Sequence, residues 1–448
     1  MHATRFAIPV LPLLLAALCL GLPGTAVRAE DAEEGWELLF NGEDLSGWEH
    51  VNCAPETFTV RDDMIICSGE PMGILRTDRM YENFILELEW RHMEPQGNAG
   101  LFIWSNPLPA VGQPFSRSIE VQILDGRNTE NYTSHGDIFG IHGATMEPRH
   151  PHPNGWMRSL PSEWRANSSP EWNHYRVTCN DGAIALEVNG EEVNGATNAH
   201  FRKGYICLES EGAETHFRNI RIKELPSTNP SPDEIAPEAE EFRTLYSGLD
   251  LRGWTHEAGE EIPWRPDDWR LANDGDAGGA DLWTEEEFED FVLIADWRFT
   301  GEAESAMRPV IQPDGTIAVD DDGNPEEAEV MDAGESGIYL RGERKAEVNI
   351  WSWPIGSGEI HGYRADESQP AEVRRAATPT VNADRSPGGW NRFEITMRGD
   401  RVTVVLNDEM VIEDAHLPDV SRRGPIGLQD AGAPIQFANI FVKELETE

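Results

Sequence analysis

The sequence predicts an all-β protein made of two tandem antiparallel β-sandwiches that follow a signal peptide. Short segments alternate apolar with polar residues, and turn signals recur about every ten residues. No long stretch repeats its apolar residues with the helical period of about 3.6. One ordered set of motifs occurs twice, about 200 residues apart, which indicates a domain duplication rather than a solenoid.

The first 29 residues have the organisation of a secretory signal peptide. Arg5 precedes an apolar run over residues 6–22, and Val27 and Ala29 occupy the two positions that a signal peptidase reads before its cut. The run is shorter than the roughly 20 residues needed to cross a bilayer. We therefore expect cleavage after Ala29, export to the periplasm or the extracellular space, and no stable membrane insertion.

Residues 30–225 form the first predicted sandwich, called the first copy below, and residues 242–448 form the second copy. In the first copy, residues 183–188 run into the hairpin turn Asn189-Gly190, which is the firmest local prediction. Between the copies, the prolines of residues 226–241 stand among serine and acidic residues, as expected for a semi-extended linker.

Six anchors recur in the same order in the two copies. They are residues 35–48 with 242–254, 83–91 with 290–298, 99–103 with 336–340, 120–123 with 347–350, 171–175 with 389–393, and 217–225 with 437–445. Chance does not reproduce such an order, and each copy is long enough to bury its own core.

Charge and cysteine content narrow the classes of function. The 448 residues include 36 Lys and Arg against 81 Asp and Glu, a net charge of −45. This charge argues against nucleic-acid binding, which depends on cations that meet phosphates, whereas neutral sugars are compatible with it. Four cysteines lie in the first copy and form either two disulfides or buried free thiols: Cys53, Cys67, Cys179 and Cys207.

Two strands carry polar residues on one face. Val121 and Ile123 point to one side of their strand, so Glu120 and Gln122 point to the other. The second copy repeats this design.

There Glu347, Asn349 and Trp351 share a face opposite Val348 and Ile350. These residues either meet a ligand or belong to a solvated sheet face.

A histidine-rich loop in the first copy offers candidates for a general base. His135 and His142 lie near Asp137, which could orient one of them, and histidine titrates near neutral pH. The same residue types could hold a divalent metal, but no ligand spacing supports one. The remaining alternative is a polar loop in which the histidines form hydrogen bonds with backbone groups. We expect no metal and no cofactor.

The corresponding region of the second copy keeps one histidine, His361, and Arg341 stands where the first copy has Trp104. We therefore predict chemistry in the first copy and glycan binding in the second, with the reverse as the alternative. Five tryptophans are candidates for stacking on sugar or for core packing: Trp104, Trp156, Trp164, Trp283 and Trp351.

The ordered anchors resemble the 3-keto-disaccharide hydrolase domain family. The resemblance rests on the opening motif at residues 39–48, on Glu120-Val121-Gln122-Ile123, and on the closing segment 217–222. It implies a concanavalin A-like jelly roll with an open concave sheet. It also implies cleavage of glycosides whose sugar carries a ketone at C3.

Such a reaction requires a base near C2 of the sugar. With the resemblance, we expect His135 or His142 to be this base, Glu120 to act as an acid or to hold sugar hydroxyls, and Gln122 to orient the sugar. The substrate would be an oligosaccharide, a polysaccharide or another glycoside. The alternative is a non-catalytic protein that binds polysaccharide through both copies. A retaining glucanase is disfavoured, because Gln122 stands where a second carboxylate would be needed.

Overall fold

The computed structural model describes residues 34–128, 133–257, 262–275 and 279–446. These residues form two jelly-roll β-sandwiches in tandem, so the predicted fold class is confirmed. The predicted signal peptide, residues 1–29, lies outside the described residues. No helix among the described residues is long and apolar enough to cross a membrane.

The first copy contains eighteen strands within the described residues. They are β1 (Glu37–Leu38), β2 (Trp48–Val51), β3 (Phe58–Arg61), β4 (Met64–Cys67), β5 (Gly73–Thr77), β6 (Phe84–His92), β7 (Asn98–Ser105), β8 (Ser118–Leu124), β9 (Arg127–Asn128), β10 (Thr133–Ser134), β11 (Ile138–Ile141), β12 (Thr145–Pro148), β13 (Arg158–Ser159), β14 (Asn173–Asn180), β15 (Ala183–Val188), β16 (Glu191–His200), β17 (Tyr205–Ser210) and β18 (Thr215–Glu224).

Two antiparallel sheets of the first copy enclose its core. One has the order β12-β16-β15-β14-β6-β18-β4-β3, with β1 beside β18, and the other has the order β13-β11-β8-β7-β17-β5-β2. Every second residue of β14 and β15 is buried, and the buried residues of one strand pair with those of the other. This alternation is typical of a strand with one face on the core. The four cysteines are buried and free, so the disulfide alternative is excluded.

The second copy contains fifteen strands within the described residues. They are β19 (Arg243–Thr244), β20 (Trp254–Thr255), β21 (Trp264–Asp267), β22 (Arg270–Asn273), β23 (Leu282–Phe288), β24 (Phe291–Phe299), β25 (Glu304–Pro309), β26 (Glu327–Asp332), β27 (Glu335–Leu340), β28 (Glu343–Trp351), β29 (Asn391–Arg398), β30 (Arg401–Leu406), β31 (Glu409–His416), β32 (Gly424–Leu428) and β33 (Ile435–Glu444).

Its two main sheets have the orders β21-β22-β33-β24-β29-β30-β31, with β19 beside β33, and β20-β23-β32-β27-β28. Strands β25 and β26 form a separate hairpin. Two short helices, α1 (His361–Arg364) and α2 (Ala371–Ala376), follow β28. The sheet that contains β28 is called the five-stranded sheet below, and its face turned away from the core is called its outer face.

The predicted linker packs along the first copy. It contains a 3-10 turn at Pro232–Glu234, and the backbone N–H of Arg202 donates to the carbonyl of Glu234 at 2.8 Å. Ala236 is 2% exposed. Contacts therefore hold the segment in place, while the domain boundaries at its two ends stay predictions.

The two copies share an apolar interface. Phe102 and Cys207 lie on β7 and β17, on the face of their sheet that is turned away from the first core. They form a cluster with Ile294 and Phe441 from β24 and β33 of the second copy. A polar contact flanks this cluster.

In that contact, buried Asp296 pairs with Arg392 and accepts a hydrogen bond of 2.7 Å from the backbone N–H of Gly112. The second copy thereby covers much of one sheet face of the first copy.

Candidate functional site

The side chains of β8 in the first copy point to the two sides of the sheet as predicted. Val121 and Ile123 are fully buried in the core, and Glu120 and Gln122 lie on the opposite face. Both are nonetheless almost inaccessible, with exposures of 5% and 4%. Burial raises the pKa of Glu120. The Nε2 of Gln122 donates to Asn98 at 2.7 Å, so its amide is already used within the protein.

A second carboxylate, which the sequence analysis missed, faces Glu120. Glu209 on β17 is 1% exposed, and its pKa is raised by burial and by the neighbouring Glu120. A Cβ built on Gly100 would lie 2.7 Å from Glu209 Oε2 and 2.8 Å from Glu120 Oε1, so the glycine leaves room for both acids. Glu209 comes close to Glu120 because β7 pairs with both β8 and β17, and the sequence alone does not reveal this strand order.

The histidines of the first copy do not join these carboxylates. His135 Nε2 accepts hydrogen bonds of 3.2 Å from the backbone N–H groups of Arg165 and Ala166. Burial lowers the pKa of His135 to about 4, so it remains a neutral acceptor that holds a loop. His142 lines a cavity between the two copies, and burial lowers its pKa as well.

Asp137 is fully buried and has its partners within the first copy. Arg158 Nη1 donates to it at 2.9 Å, and the hydroxyl of Ser134 donates at 3.2 Å. Burial raises the pKa of Asp137 to about 6, against the opposing effect of Arg158. It orients no histidine through a hydrogen bond in the described part of the chain.

Two residues predicted to bind substrate lie elsewhere. Trp104 is 1% exposed and packs in the first core, with its Nε1 donating to the carbonyl of Glu82 at 2.8 Å. Arg341 is 2% exposed and pairs with Asp290 at 2.9 Å. Both stand where their strands end, and buried partners there hold them away from the polar strands.

A row of side chains crosses the outer face of the five-stranded sheet in the second copy. Trp283 and Tyr339 face each other across Gly427, and their rings stack with centroids 5.3 Å apart and planes at 15°. Tyr339 pairs with Glu347, and the bridge between Val348 and Ile360 places the next residue, His361, beside Glu347. Residues from four separate segments thus place two stacked rings, a carboxylate and an imidazole in one row.

His361 is oriented by a buried carboxylate. Its Nδ1 donates to Glu359 Oε1 at 2.9 Å, and Arg364 Nη2 donates to the same oxygen at 2.9 Å. Glu359 is completely buried, whereas the side chain of His361 is 39% exposed. The hydrogen bond to Glu359 raises the pKa of His361. This pairing leaves Nε2 as the ring atom available to a ligand.

Burial favours the protonated form of Glu347 near neutral pH. It is 6% exposed, and burial raises its pKa to about 7 against the opposing charge of His361. Its carboxylate occupies the space beside Gly337, where a Cβ would lie 2.4 Å from Oε1. The amide of Asn349 donates to the same oxygen at 3.5 Å.

Trp351 borders this site from the end of β28. Its ring is 2% exposed, stacks on Trp353 with centroids 4.0 Å apart, and meets the ring of His361 edge-on at 5.9 Å. Of the residues predicted for the second copy, the structure therefore brings Glu347, Asn349, Trp351 and His361 together. The sequence analysis named Trp283 only as one of five tryptophans.

The equivalent row of the first copy has other residues. Phe139 pairs with Glu120 at the position of His361, and the guanidinium of Arg158 lies 3.6 Å from the centre of its ring. Arg76 and Phe102 replace the two stacked rings, and Phe102 packs in the interface between the copies. Among the described residues, no group of three or more histidine, cysteine or acidic side chains could hold a metal ion.

Solved structures of sugar-related proteins resemble parts of the chain. A candidate glycosyl hydrolase from Parabacteroides distasonis is 25% identical over 43% of this chain and 95% of that chain, with a TM-score of 0.35. A carbohydrate binding module from Bacillus subtilis is 12% identical over 40% and 96%, with a TM-score of 0.29. The Bacillus licheniformis beta-glucanase is 12% identical over 43% and 97%, with a TM-score of 0.30.

No curated protein sequence matches the chain. The sequence profile of the 3-keto-alpha-glucoside-1,2-lyase-like domain matches residues 35–223 and again residues 241–443. These two matches cover most of the chain, one in each sandwich. The chain therefore belongs to the 3-keto-alpha-glucoside-1,2-lyase-like domain family and contains this domain in two tandem copies.

Proposed function

We propose that the second copy cleaves 3-keto-glycosides by elimination across C1 and C2 of the sugar, with His361 as the base. Membership of the family supports a carbohydrate-active role. The single observation that carries the proposal is the row of Trp283, Tyr339, Glu347 and His361 on the outer sheet face. Trp283 and His361 are half-buried there, while Tyr339 and Glu347 are 3% and 6% exposed. This assignment moves the chemistry from the first copy, where the sequence analysis expected it, to the second.

The stacked rings provide a surface for the sugar. Trp283 is half-buried and offers the apolar surface, and Tyr339, which is 3% exposed, stacks on it. The guanidinium of Arg344 lies 5.7 Å and 5.6 Å from the two ring centres. Sugar-sized ligands are commonly held by aromatic side chains together with a few placed polar groups. A sugar on this surface has Glu347 and His361 at one edge.

The reaction starts with removal of the proton on C2, which the ketone at C3 makes acidic. Nε2 of His361 takes this proton, and the C2–H electron pair forms an enolate at C3. When the C3 carbonyl forms again, the pair makes the C1=C2 double bond and the C1–O bond breaks. Glu347 gives its proton to the departing oxygen, and addition of water across C1=C2 completes a net hydrolysis.

The roles of Glu347 as acid and His361 as base require Glu347 to be protonated and His361 to be neutral. A carboxyl group with a pKa of about 7 still carries its proton at neutral pH in part of the molecules. Glu359 fixes the tautomer of His361 and stabilises its charged form, in the way that a buried acid supports a catalytic histidine. The first copy offers no equivalent base, because Phe139 stands at the position of His361.

A second candidate function is sugar binding without cleavage, which the Trp283–Tyr339 platform also favours. Such binding would involve the second copy alone, because the counterpart surface of the first copy packs against Ile294 and Phe441. The bivalent attachment expected from the sequence has less support for this reason.

The test compares two histidine variants on a 3-keto-α-glucoside. We expect H361Q to lower kcat by 100-fold or more, since general-base catalysis contributes about 10²–10⁴. The control H142Q changes a base candidate of the first copy and should retain activity. Binding of the substrate without any product from the wild-type protein would select the second candidate. Full activity of H361Q would refute the proposed base.

A further inference from the structure

A cavity of about 360 Å³ opens at one end of the second sandwich. The stacked pair Trp351 and Trp353 forms one wall, and Val330 and Met331 of β26 form another. The segment from Asn382 to Gly389 contributes a third wall. Nothing in the proposed reaction at C1 and C2 uses this space.

The cavity depends on an insertion that the first copy lacks. Residues 93–97 join β6 to β7 in the first copy, whereas residues 300–334, which contain the β25–β26 hairpin, join the equivalent strands β24 and β27. The other main wall is also new, because Leu124 stands in the first copy where the second has Trp351. The cavity therefore belongs to the copy that carries the base.

Direct contacts connect the cavity to the proposed base. Trp351 lines the cavity and meets His361 edge-on, with ring centroids 5.9 Å apart. Asp384, also in the lining, accepts a hydrogen bond of 2.8 Å from the backbone N–H of Ser357, in the segment that leads to His361. A group attached to C1 of a sugar beside His361 is thus one side chain away from the cavity.

The stacked tryptophans of the lining suit an aromatic ring. Aromatic, methionine and proline side chains form nearly half of the lining, among them Phe299, Met331, Trp351, Trp353, Pro354 and Pro387. Polar side chains, among them Asn382, Arg385 and Asn391, form much of the rest. Burial of an apolar ring against this aromatic wall gains about 25 cal/mol per Å². The volume exceeds the roughly 150 Å³ that accommodates benzene in an engineered cavity.

Among the polar groups of the lining, Asp384 has an unused acceptor for a hydroxyl on that ring. The Oδ1 of Asp384 is buried and has no hydrogen-bond partner among the described residues, while its Oδ2 is held by Ser357. A buried acceptor of this kind gains most from a ligand that brings its own donor.

We propose that this cavity binds the leaving group of the substrate and that this leaving group is a hydroxylated aromatic ring. The inference rests on the proposed function and extends it to the class of aglycone. The ring stacks on Trp353, and its hydroxyl donates to Asp384. Cleavage breaks the bond between C1 and the phenolic oxygen, and the oxygen leaves as the phenol with the proton from Glu347.

The kinetic test uses two 3-keto-α-glucosides that differ only in the aglycone, methyl or 4-hydroxyphenyl. We expect W353A to lower kcat/KM for the 4-hydroxyphenyl substrate by 10-fold or more and to leave the methyl substrate within twofold. W353F keeps a ring and should restore most of the difference, which excludes a mere folding defect. Equal losses on the two substrates would overturn the proposal.

A binding test separates this proposal from the proposed function. Saturation-transfer NMR with free hydroquinone and the full chain needs no turnover. We expect binding to the wild type and to H361Q, with loss in W353A. Absence of hydroquinone binding, binding that W353A leaves unchanged, or displacement of hydroquinone by glucose would each overturn the aromatic assignment, whether or not a 3-keto-glucoside is cleaved.

Discussion

His361 and Phe139 occupy equivalent positions in the two copies but have opposite surroundings. Each follows an isoleucine that pairs with the valine next to the polar glutamate of its strand. His361 donates to buried Glu359 and remains partly exposed, whereas Phe139 lies under the guanidinium of Arg158. The duplicated fold therefore presents an ionisable ring in one copy and an inert ring in the other.

The matched glutamates allow a direct comparison of the copies. We expect E347Q to lower kcat on a 3-keto-α-glucoside by about 100-fold, because glutamine cannot give a proton to the leaving oxygen. E120Q makes the same change at the equivalent position of the first copy and should stay within twofold. Steady-state kinetics on both variants measure this, and a larger loss in E120Q would return the chemistry to the first copy.

The proposed acid and base predict a bell-shaped dependence of kcat/KM on pH. Activity should fall at low pH, where His361 becomes protonated at a pKa that Glu359 raises. It should also fall at high pH, where Glu347 loses its proton with a pKa of about 7.

The residual activity of E347Q should lose the fall at high pH and keep the fall at low pH. H142Q serves as the control and should keep both. A wild-type profile that stays flat from pH 5 to pH 9 would contradict both roles.

The facing acids of the first copy predict a pH-dependent stability. Burial and Glu120 raise the pKa of Glu209 above its usual 4.5, so the folded state retains a proton that the unfolded state releases. The stability that this proton provides is complete at low pH and decreases as the pH rises above 4.5.

E209Q removes this loss, so its melting temperature should exceed that of the wild type by an amount that grows from pH 5 to pH 8. One group contributes at most about 1.4 kcal/mol per pH unit, and about 2–4 °C per kcal/mol is usual for a domain of this size. E191Q, at an exposed hairpin turn, is the matched control for thermal unfolding. A constant difference between E209Q and the wild type would exclude this cause.

Gly112, at the interface between the copies, should not tolerate replacement by a residue with a side chain. A Cβ on Gly112 would lie 2.0 Å from the ring of Trp390, and the backbone N–H of Gly112 donates to Asp296. We expect G112A to destabilise the protein by about 2 kcal/mol or more. The loop must move away from Trp390, and Asp296 then loses its hydrogen bond from the backbone N–H of residue 112.

G155A provides the control for this change. Gly155 also has a positive φ, at 74°, but has nothing within 4 Å of its Cβ position, so only the backbone strain of about 1–2 kcal/mol applies. Thermal unfolding and small-angle scattering report stability and the spacing of the copies. Equal losses in the two variants would show that Trp390 does not limit position 112.

The amino-acid sequence by itself determined the class of fold and the facing of single strands. Alternation and the repeated anchors predict two sandwiches, because side chains alternate across a sheet whatever the strand pairs with. The same rule placed Glu120, Gln122, Glu347 and Asn349 opposite the core.

Only the tertiary structure decided what covers each of these faces. Ile294 and Phe441 read like core residues of their strands but cover the first copy, and Glu209 joins Glu120 through strand order alone. The row from Trp283 to His361 combines four segments that meet through ladder register, and register depends on long-range pairing that no local pattern contains.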